Sequence, residues 1–360
     1  MTNINVLRRR LVNQLLSGDS TKAPQEVVKI LGAIQAQDYA GGEWSIGLRI
    51  PGSTISDIRK AISERQIVRT WAMRGTLHFL AGTDIDWMLR LLAPGLIAGL
   101  TRRYDELGLD ERTFRKAETL LTKFLKGGGQ LTRKELVVML EKNGISCEGQ
   151  RAPFILHRAS IDRVLCFGAK QEKQETHALF DEWVPVKQSM ERNDALAELA
   201  RRYFTSHGPA TIQDYMWWSG LRAEDARLGL AMAEFWLRKI SIEGNTYWMP
   251  KESVMIKPAK QVVHLLPPFD SFLIGYKDRA ASIDKKVLKM LRTGGMPDST
   301  IMIDGNVVGK WKRRITKKVT ITTELFREVN RPDERALRAA VERYAEFTGN
   351  QLEWESRTKR

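Results

Sequence analysis

Cysteine is nearly missing from this chain. Two in 360 residues, Cys147 and Cys166, make no disulfide framework, and neither has a His/Cys neighbourhood with zinc spacing. Both read as small apolar fillers in a protein of a reducing interior. Long apolar runs are also absent, since no segment approaches the roughly 18 apolar residues needed to span a bilayer. Basic Arg8-Arg9-Arg10 is followed only by the short, amide-interrupted Leu11-Val12-Asn13-Gln14-Leu15-Leu16. A signal peptide is therefore not expected, and the cytoplasm is the default location. Gly127-Gly128-Gly129-Gln130 lacks the Gly-Lys-Ser/Thr ending of a phosphate loop and reads as a link before a capped helix. No His or Cys pair has metal spacing, and no Ser or Cys has a recognisable base partner. Neither metal nor cofactor is expected.

Acid is in deficit too. Against 58 Lys and Arg stand 43 Asp and Glu, a formal net charge of +15 and a sequence pI of about 9.8. Such an excess suits a polyanion, because neutralising phosphates releases condensed counterions. A basic protein that merely stays soluble is the plainer alternative. With 42% hydrophobic residues and ten tryptophans, the chain buries real cores and is long enough for several units.

No sequence repeat is visible, yet one order recurs: three helices, a strand, a turn, a strand. The first set is helices at Asn5–Ser17, Pro24–Ile34 and Thr54–Arg65 with strands at Ile67–Trp71 and Thr76–Leu80. The second is Glu111–Lys126, Thr132–Asn143 and Gln150–Asp162 with Val164–Gly168 and Thr176–Trp183. The third is Arg192–His207, Thr211–Ser219 and Arg222–Leu237 with Ser241–Glu243 and Tyr247–Met249. Thr54 with Asp57 and Thr132 with Glu135 are N-cap patterns, Thr211 caps after Pro209, and Gly144 and Gly220 are stops. Three helices and a hairpin is the winged-helix plan, a helix-turn-helix variant used mainly on DNA.

The expected fold is thus α+β: three tandem winged-helix units, a β-rich segment and a closing helix. Residues 1–95, 96–187 and 188–257 hold the units, 258–328 the β-rich segment with a basic hairpin, and 329–360 the helix and tail. In the β-rich part Val262–Leu266, Ser271–Tyr276 and Thr300–Ile303 read as strands, and Asp304-Gly305-Asn306 as a hairpin turn. Pro332–Phe347 reads as the closing helix and Glu355–Arg360 as loose.

Gln35-Ala36-Gln37 ends an apolar helical run and precedes Asp38. Residues i and i+2 of a helix diverge, so the two amides share a side only if the helix ends near Gln35 and the chain runs on extended. Converging amides orient a water or grip a base edge but take up no proton. The alternative is that both cap their own helix.

Ile34-Gln35-Ala36-Gln37, Val68–His78, Gly208-Pro209-Ala210-Thr211, Trp217–Leu221, Leu265–Asp270, Gly275–Arg279 and Asp304–Trp311 follow in an order that resembles the AlkZ-like (AlkZ/YcaQ) winged-helix DNA glycosylases. The similarity runs from about Leu7 to Phe347. It implies a concave, basic DNA cradle, with excision of alkylated purines and unhooking of bulky adducts or interstrand crosslinks. The family's Gln-apolar-Gln signature lands on Gln35 and Gln37. Relatives of the YcaQ type carry Asp at the second position; Gln there places this chain nearer the AlkZ branch.

The expected function is hydrolysis of the N-glycosidic bond of N3- or N7-alkylated purines by a monofunctional glycosylase. An alkylated purine is cationic and leaves readily. Two preorganised amide dipoles suffice to stabilise the sugar cation and place a water. Gln37 is assigned the water and Gln35 the sugar or base, though the roles could be exchanged. Candidate DNA contacts are Arg69 and Arg74 of the first hairpin, Lys277 and Arg279, and the cationic Lys310-Trp311-Lys312-Arg313 strand. Against these stand a core Trp71, an ion-paired Arg74 and a lysine-protected edge strand. His78 and Trp217-Trp218 read as core. Damaged double-stranded DNA is the expected partner, with no membrane and a monomeric chain. The rival function is a non-enzymatic winged-helix regulator that reads sequence through a third helix. Mixed charge on Ile55–Glu64 and the acidic start Ala223-Glu224-Asp225 argue against it.

Overall fold

The structure, a computed structural model, describes residues 3–18, 21–171, 174–185, 189–252, 262–291 and 296–358. The unit boundaries expected at 187/188 and 257/258, parts of the 169–174 stretch and the last two residues of the tail lie outside them.

Helix α1 (Asn3–Asn13) is followed by α2 (Pro24–Leu31), β1 (Ile34–Gln35), α3 (Tyr39–Gly47), α4 (Ile55–Ser63) and the strands β2 (Ile67–Trp71) and β3 (Leu77–Ala81). The long α5 (Ile85–Glu106) leads to α6 (Glu111–Leu125), β4 (Gln130–Thr132), α7 (Arg133–Lys142), α8 (Arg151–Ile161), β5 (Leu165–Phe167) and β6 (Thr176–Leu179). A short α9 (Phe180–Trp183) precedes α10 (Arg192–His207), α11 (Ile212–Ser219), α12 (Ala223–Ala233), β7 (Leu237–Ile242) and β8 (Asn245–Pro250). One topology recurs: helix, short strand, helix, helix, hairpin. The sheet orders are β1-β3-β2 and β4-β6-β5. In the third set a single bridge from Ala210 to Trp248 on β8 takes the place of the short strand.

Local chemistry explains the boundaries. Thr54, Thr132 and Thr211 each accept from the backbone N–H three residues on, and Asp57, Glu135 and Asp214 return the bond, so three capping boxes open α4, α7 and α11. Gly144 and Gly220 stop α7 and α11 at φ of +73° and +75°. The first set differs from expectation: α1 ends at Asn13, and its second helix is Tyr39–Gly47. Gly41 and Gly42 hide that helix from any propensity reading. A Cβ on Gly42 would stand 2.8 Å from Phe79 Cε2 and 3.2 Å from Ala36 Cβ, so glycine lets α3 lie directly on the strand beneath it.

The C-terminal part is a five-stranded sheet, ordered β13-β12-β11-β10-β9. Its elements are β9 (Val263–Leu266), the short helices α13 (Ser271–Ile274) and α14 (Lys285–Met290), β10 (Ser299–Ile303), β11 (Asn306–Ile315), β12 (Lys318–Leu325), α15 (Arg331–Thr348) and β13 (Gln351–Thr358). Asp304 and Gly305, at φ of +50° and +87°, form the tight β10–β11 turn. Two expectations fail. Ser271–Tyr276 is no strand, because the Asp270 carboxylate caps Phe272 N and starts α13. The tail through Thr358 is not loose: β13 pairs in parallel with β12, and Trp354 Nε1 donates to Thr323 Oγ1 at 3.0 Å.

This sheet and α15 share one core with the first set. Trp44 of α3 meets Tyr344 edge-on at 4.9 Å and donates its indole N–H to Leu265 O at 2.7 Å. Arg49 and Asp270, both fully buried, join the same parts through two bonds of 2.9 Å. A second core combines β2, β3 and the start of α5 with α10–α12, and a third joins the end of α5 to α6–β6. No helix among the described residues is long and apolar enough to cross a membrane.

Candidate functional site

Helix α2 stops because Gly32 turns to φ +79°, three residues before Gln35. The chain is therefore already extended at Gln35, where β1 pairs with β3 in the register Ile34↔Phe79 and Gln35↔His78. Ala36 is pinned on both sides. Its N–H donates to Leu77 O at 2.7 Å, and its carbonyl accepts from Arg69 Nε and Nη2 at 3.1 and 3.0 Å. Its methyl is fully buried. The flanking amides both reach the β2–β3 turn. Gln35, mostly buried, accepts at Oε1 from Arg74 Nη2 at 3.0 Å, and exposed Gln37 accepts from Leu77 N at 3.4 Å.

That turn is unusual in its backbone. Arg74 and Gly75 are both left-handed, at φ of +56° and +68°, which tips the Arg74 side chain toward the third set of elements. Its guanidinium also donates to the carbonyl of Trp218 at the C-terminal end of α11, where the helix dipole favours a cation. A Cβ on Gly220 would stand 3.3 Å from Arg74 N, so the two turns lie in close contact. Burial, then the nearby Arg279 charge, lowers the Arg74 pKa to about 10, leaving it charged at neutral pH. His78 is buried beside it. Burial, then the Arg74 charge, lowers its pKa to about 3. The neutral ring sets Nδ1 on the Thr76 carbonyl at 2.9 Å, so Nδ1 carries the proton.

Beyond Gln37 the carboxylates of Asp38 and Glu175 are ion-paired. Asp38 receives Arg313 Nη2 at 2.6 Å from β11. Tyr39 packs edge-on to Phe79 at 5.3 Å, with Lys170 Nζ 3.3 Å above its ring. Arg69 lies between the rings of Tyr39 and Phe167 and pairs with Glu175 at 2.6 Å. The side chains that flank Ala36 here are carboxamides, whose oxygens accept from Arg74 and Leu77 N. Such a site can hold a water or stabilise positive charge, but it offers no free carboxylate. Among the described residues no three His, Cys, Asp or Glu side chains are placed to hold a metal.

The candidate residues divide. Gln35, Gln37, Arg74 and Arg69 assemble around the β2–β3 turn. Arg69, 4% exposed, is a correction to the expected DNA contact, because its whole fork is spent on Ala36 and Glu175. Trp311 is a second correction. It is 2% exposed, donates to Leu266 O at 2.9 Å and packs on Tyr344, so it cannot stack on a base. Lys310 pairs with Glu324 at 3.4 Å, Arg313 with Asp38, and Lys312 is exposed. Lys277 is exposed and Arg279 half-buried near Arg74. Trp218 is core as expected, whereas Trp217 is 44% exposed. Lys170 and Glu175 were not anticipated, since they lie over a hundred residues away with no local motif.

Comparisons with known proteins bear on the family and the fold. A family model described as DNA glycosylase AlkZ-like matches residues 28–347. The interstrand DNA cross-link repair glycosylase of Streptomyces sahachiroi is 26% identical over 84% of this chain and 85% of its own. The solved structure of the Streptomyces sahachiroi DNA glycosylase AlkZ is similar at a TM-score of 0.82 and 22% identity, covering 99% of this chain and 100% of that one. At that identity the likeness is one of fold.

Proposed function

We propose, for a chain that belongs to the AlkZ-like DNA glycosylase family, that it hydrolyses the N-glycosidic bond of N3- or N7-alkylated purines in duplex DNA. The observation that carries this reading is the pinned Ala36, which sends two amides to one turn. An alkylated purine brings its own positive charge and needs no strong general acid. Gln37, exposed, accepts a hydrogen from the attacking water, and Gln35, its oxygen held by Arg74, orients the sugar or base by donating its NH2 to an acceptor atom there. With water as nucleophile the enzyme is monofunctional. Bulky adducts and interstrand crosslinks fall within the same chemistry, in line with the name of the Streptomyces relative.

Each helix–strand–helix–helix–hairpin set is read as a winged helix, and the three together line a basic DNA cradle. Lys277 and Lys312, exposed, and Arg279 meet phosphates. Lys310 and Arg313 do so by exchanging their carboxylate partners, while Arg74 acts from within the wall. The enzyme works as a monomer in the cytoplasm. The regulator reading is not favoured. In the second set the candidate recognition helix α8 is buried from Ile155 to Ile161, so it cannot enter a major groove. Abasic-site formation in duplexes carrying 7-methylguanine or a nitrogen-mustard crosslink tests the proposal. Failure to form alkali-labile sites on either would overturn it.

A further inference from the structure

Tyr39 opens α3 two residues after Gln37, and one guanidinium joins it to the residue between the glutamines. Arg69 bonds the Ala36 carbonyl and sets its Cζ 5.2 Å from the centre of the Tyr39 ring. A second cation lies closer. Lys170, on the connection that leaves β5, holds Nζ 3.3 Å from the same ring centre. Lys170 is exposed and Tyr39 half-buried, so the ammonium covers the ring on a side open to solvent.

No carboxylate accounts for the position of that ammonium. The acids whose charges reach it are engaged elsewhere, Glu43 with Arg59 at 2.8 Å and Glu175 with Arg69 at 2.6 Å. Among the described residues Lys170 has neither a hydrogen bond nor an ion pair, and its specific contact is the face of Tyr39. Burial lowers its pKa, as for an ammonium that gives up water without a carboxylate in return. The ring is thus occupied by a cation that little else holds.

A purine alkylated at N3 or N7 carries a positive charge on a flat ring, and an aromatic face accepts such a cation as it accepts an ammonium. A neutral purine can stack there but brings no charge. Exchange of Lys170 for a damaged base keeps the cation–π contact; exchange for an undamaged one loses it. Displacing the lysine costs the same in both cases. The ring therefore sets the preference, and the lysine sets how strongly a base must bind to enter.

We propose that Tyr39 distinguishes a cationic purine from a neutral one, and that Lys170 is the cation the damaged base displaces from its ring. This rests on base excision at Gln35 and Gln37.

Two duplexes that resist hydrolysis test it. One carries 7-methylguanine on a 2′-fluoroarabinose, and the other carries the neutral isostere 7-methyl-7-deazaguanine on the same sugar. Affinity is read by anisotropy of a terminal fluorophore for the wild type, Tyr39→Phe, Tyr39→Leu and Lys170→Met. The wild type is expected to bind the cationic duplex about tenfold more tightly than the neutral one. Tyr39→Phe keeps that preference, and Tyr39→Leu reduces it below about twofold. Lys170→Met changes an exposed side chain and needs no repacking. It should keep the preference and raise affinity for the cationic duplex, relative to an undamaged one, about threefold above wild type. No preference in the wild type, or one that survives Tyr39→Leu, overturns the role of the ring. An unchanged or lower ratio in Lys170→Met makes the lysine an ordinary phosphate contact and overturns its displacement. Affinities as expected, with no base released from an ordinary 7-methylguanine duplex in a single-turnover assay, overturn the excision reading instead.

Discussion

The Ala36 carbonyl and the Arg69 guanidinium are joined by two hydrogen bonds of 3.1 and 3.0 Å. Through them an arginine of β2 fixes the one residue that separates the two glutamines. Lysine at position 69 keeps the charge but cannot make a two-pronged bond. Arg69→Lys is expected to slow single-turnover base release about tenfold while DNA affinity stays within about threefold. If affinity and its salt dependence fall and the rate from the bound complex does not, Arg69 is a DNA contact after all.

Arg74 joins Gln35 to the end of α11. Arg74→Met leaves the Gln35 oxygen and the Trp218 carbonyl without their donor. The expected cost is about 1–3 kcal/mol in urea unfolding, together with slower base release. A variant as stable as wild type would show that the guanidinium is not needed to tie these elements together.

Gly42 lets α3 approach the strand that carries Ala36. Gly42→Ala places a methyl 2.8 Å from Phe79 Cε2 and 3.2 Å from Ala36 Cβ, in a core with no slack. A loss of about 1–3 kcal/mol with an unchanged denaturant slope is expected. Neutrality would mean that Phe79 swings aside freely.

Neighbours on β11 should behave in opposite ways. Trp311→Ala empties a core position and should cost about 3–5 kcal/mol. Lys312→Ala should alter stability by less than about 0.5 kcal/mol but weaken DNA binding and reduce the salt slope by about one. Equal affinity at all salt concentrations would remove Lys312 from the interface.

All five histidines are held neutral by burial, with pKa values lowered to about 3 for His78 and His207 and about 4 for His157, His177 and His264. A lowered folded pKa means that the unfolded chain binds more protons between the two values. Stability is therefore complete above about pH 6.5 and declines as the pH falls toward 4 and 3. Melting temperature against pH checks this. The base-release rate should stay flat between about pH 6.5 and 8, since no histidine titrates there.

Local signals were readable from sequence wherever both partners lie within one turn. The capping boxes at Thr54, Thr132 and Thr211 and the stops at Gly144 and Gly220 needed no tertiary information. Helix Tyr39–Gly47 was not readable, because Gly41, Gly42 and Gly47 obey packing rather than helix propensity. The tail from Glu355 reads as loose in sequence because its support is a distant partner strand. At the site, the ordered motifs drew attention to Gln35 and Gln37. What fixes them was hidden: Arg69 is 33 residues from Ala36 and 106 from Glu175. The same blindness made Arg69 and Trp311 look like DNA contacts, since charge and aromaticity in a strand do not say which face is buried.

Base release rests on the two amides. That dependence is tested most directly by the single-turnover rate of abasic-site formation in a 7-methylguanine duplex, wild type against Gln37→Ala, with affinity measured on the same duplex. Release by the wild type is expected, with release at least about a hundredfold slower by the variant and affinities within about threefold of each other. Release by Gln37→Ala at the wild-type rate would contradict it.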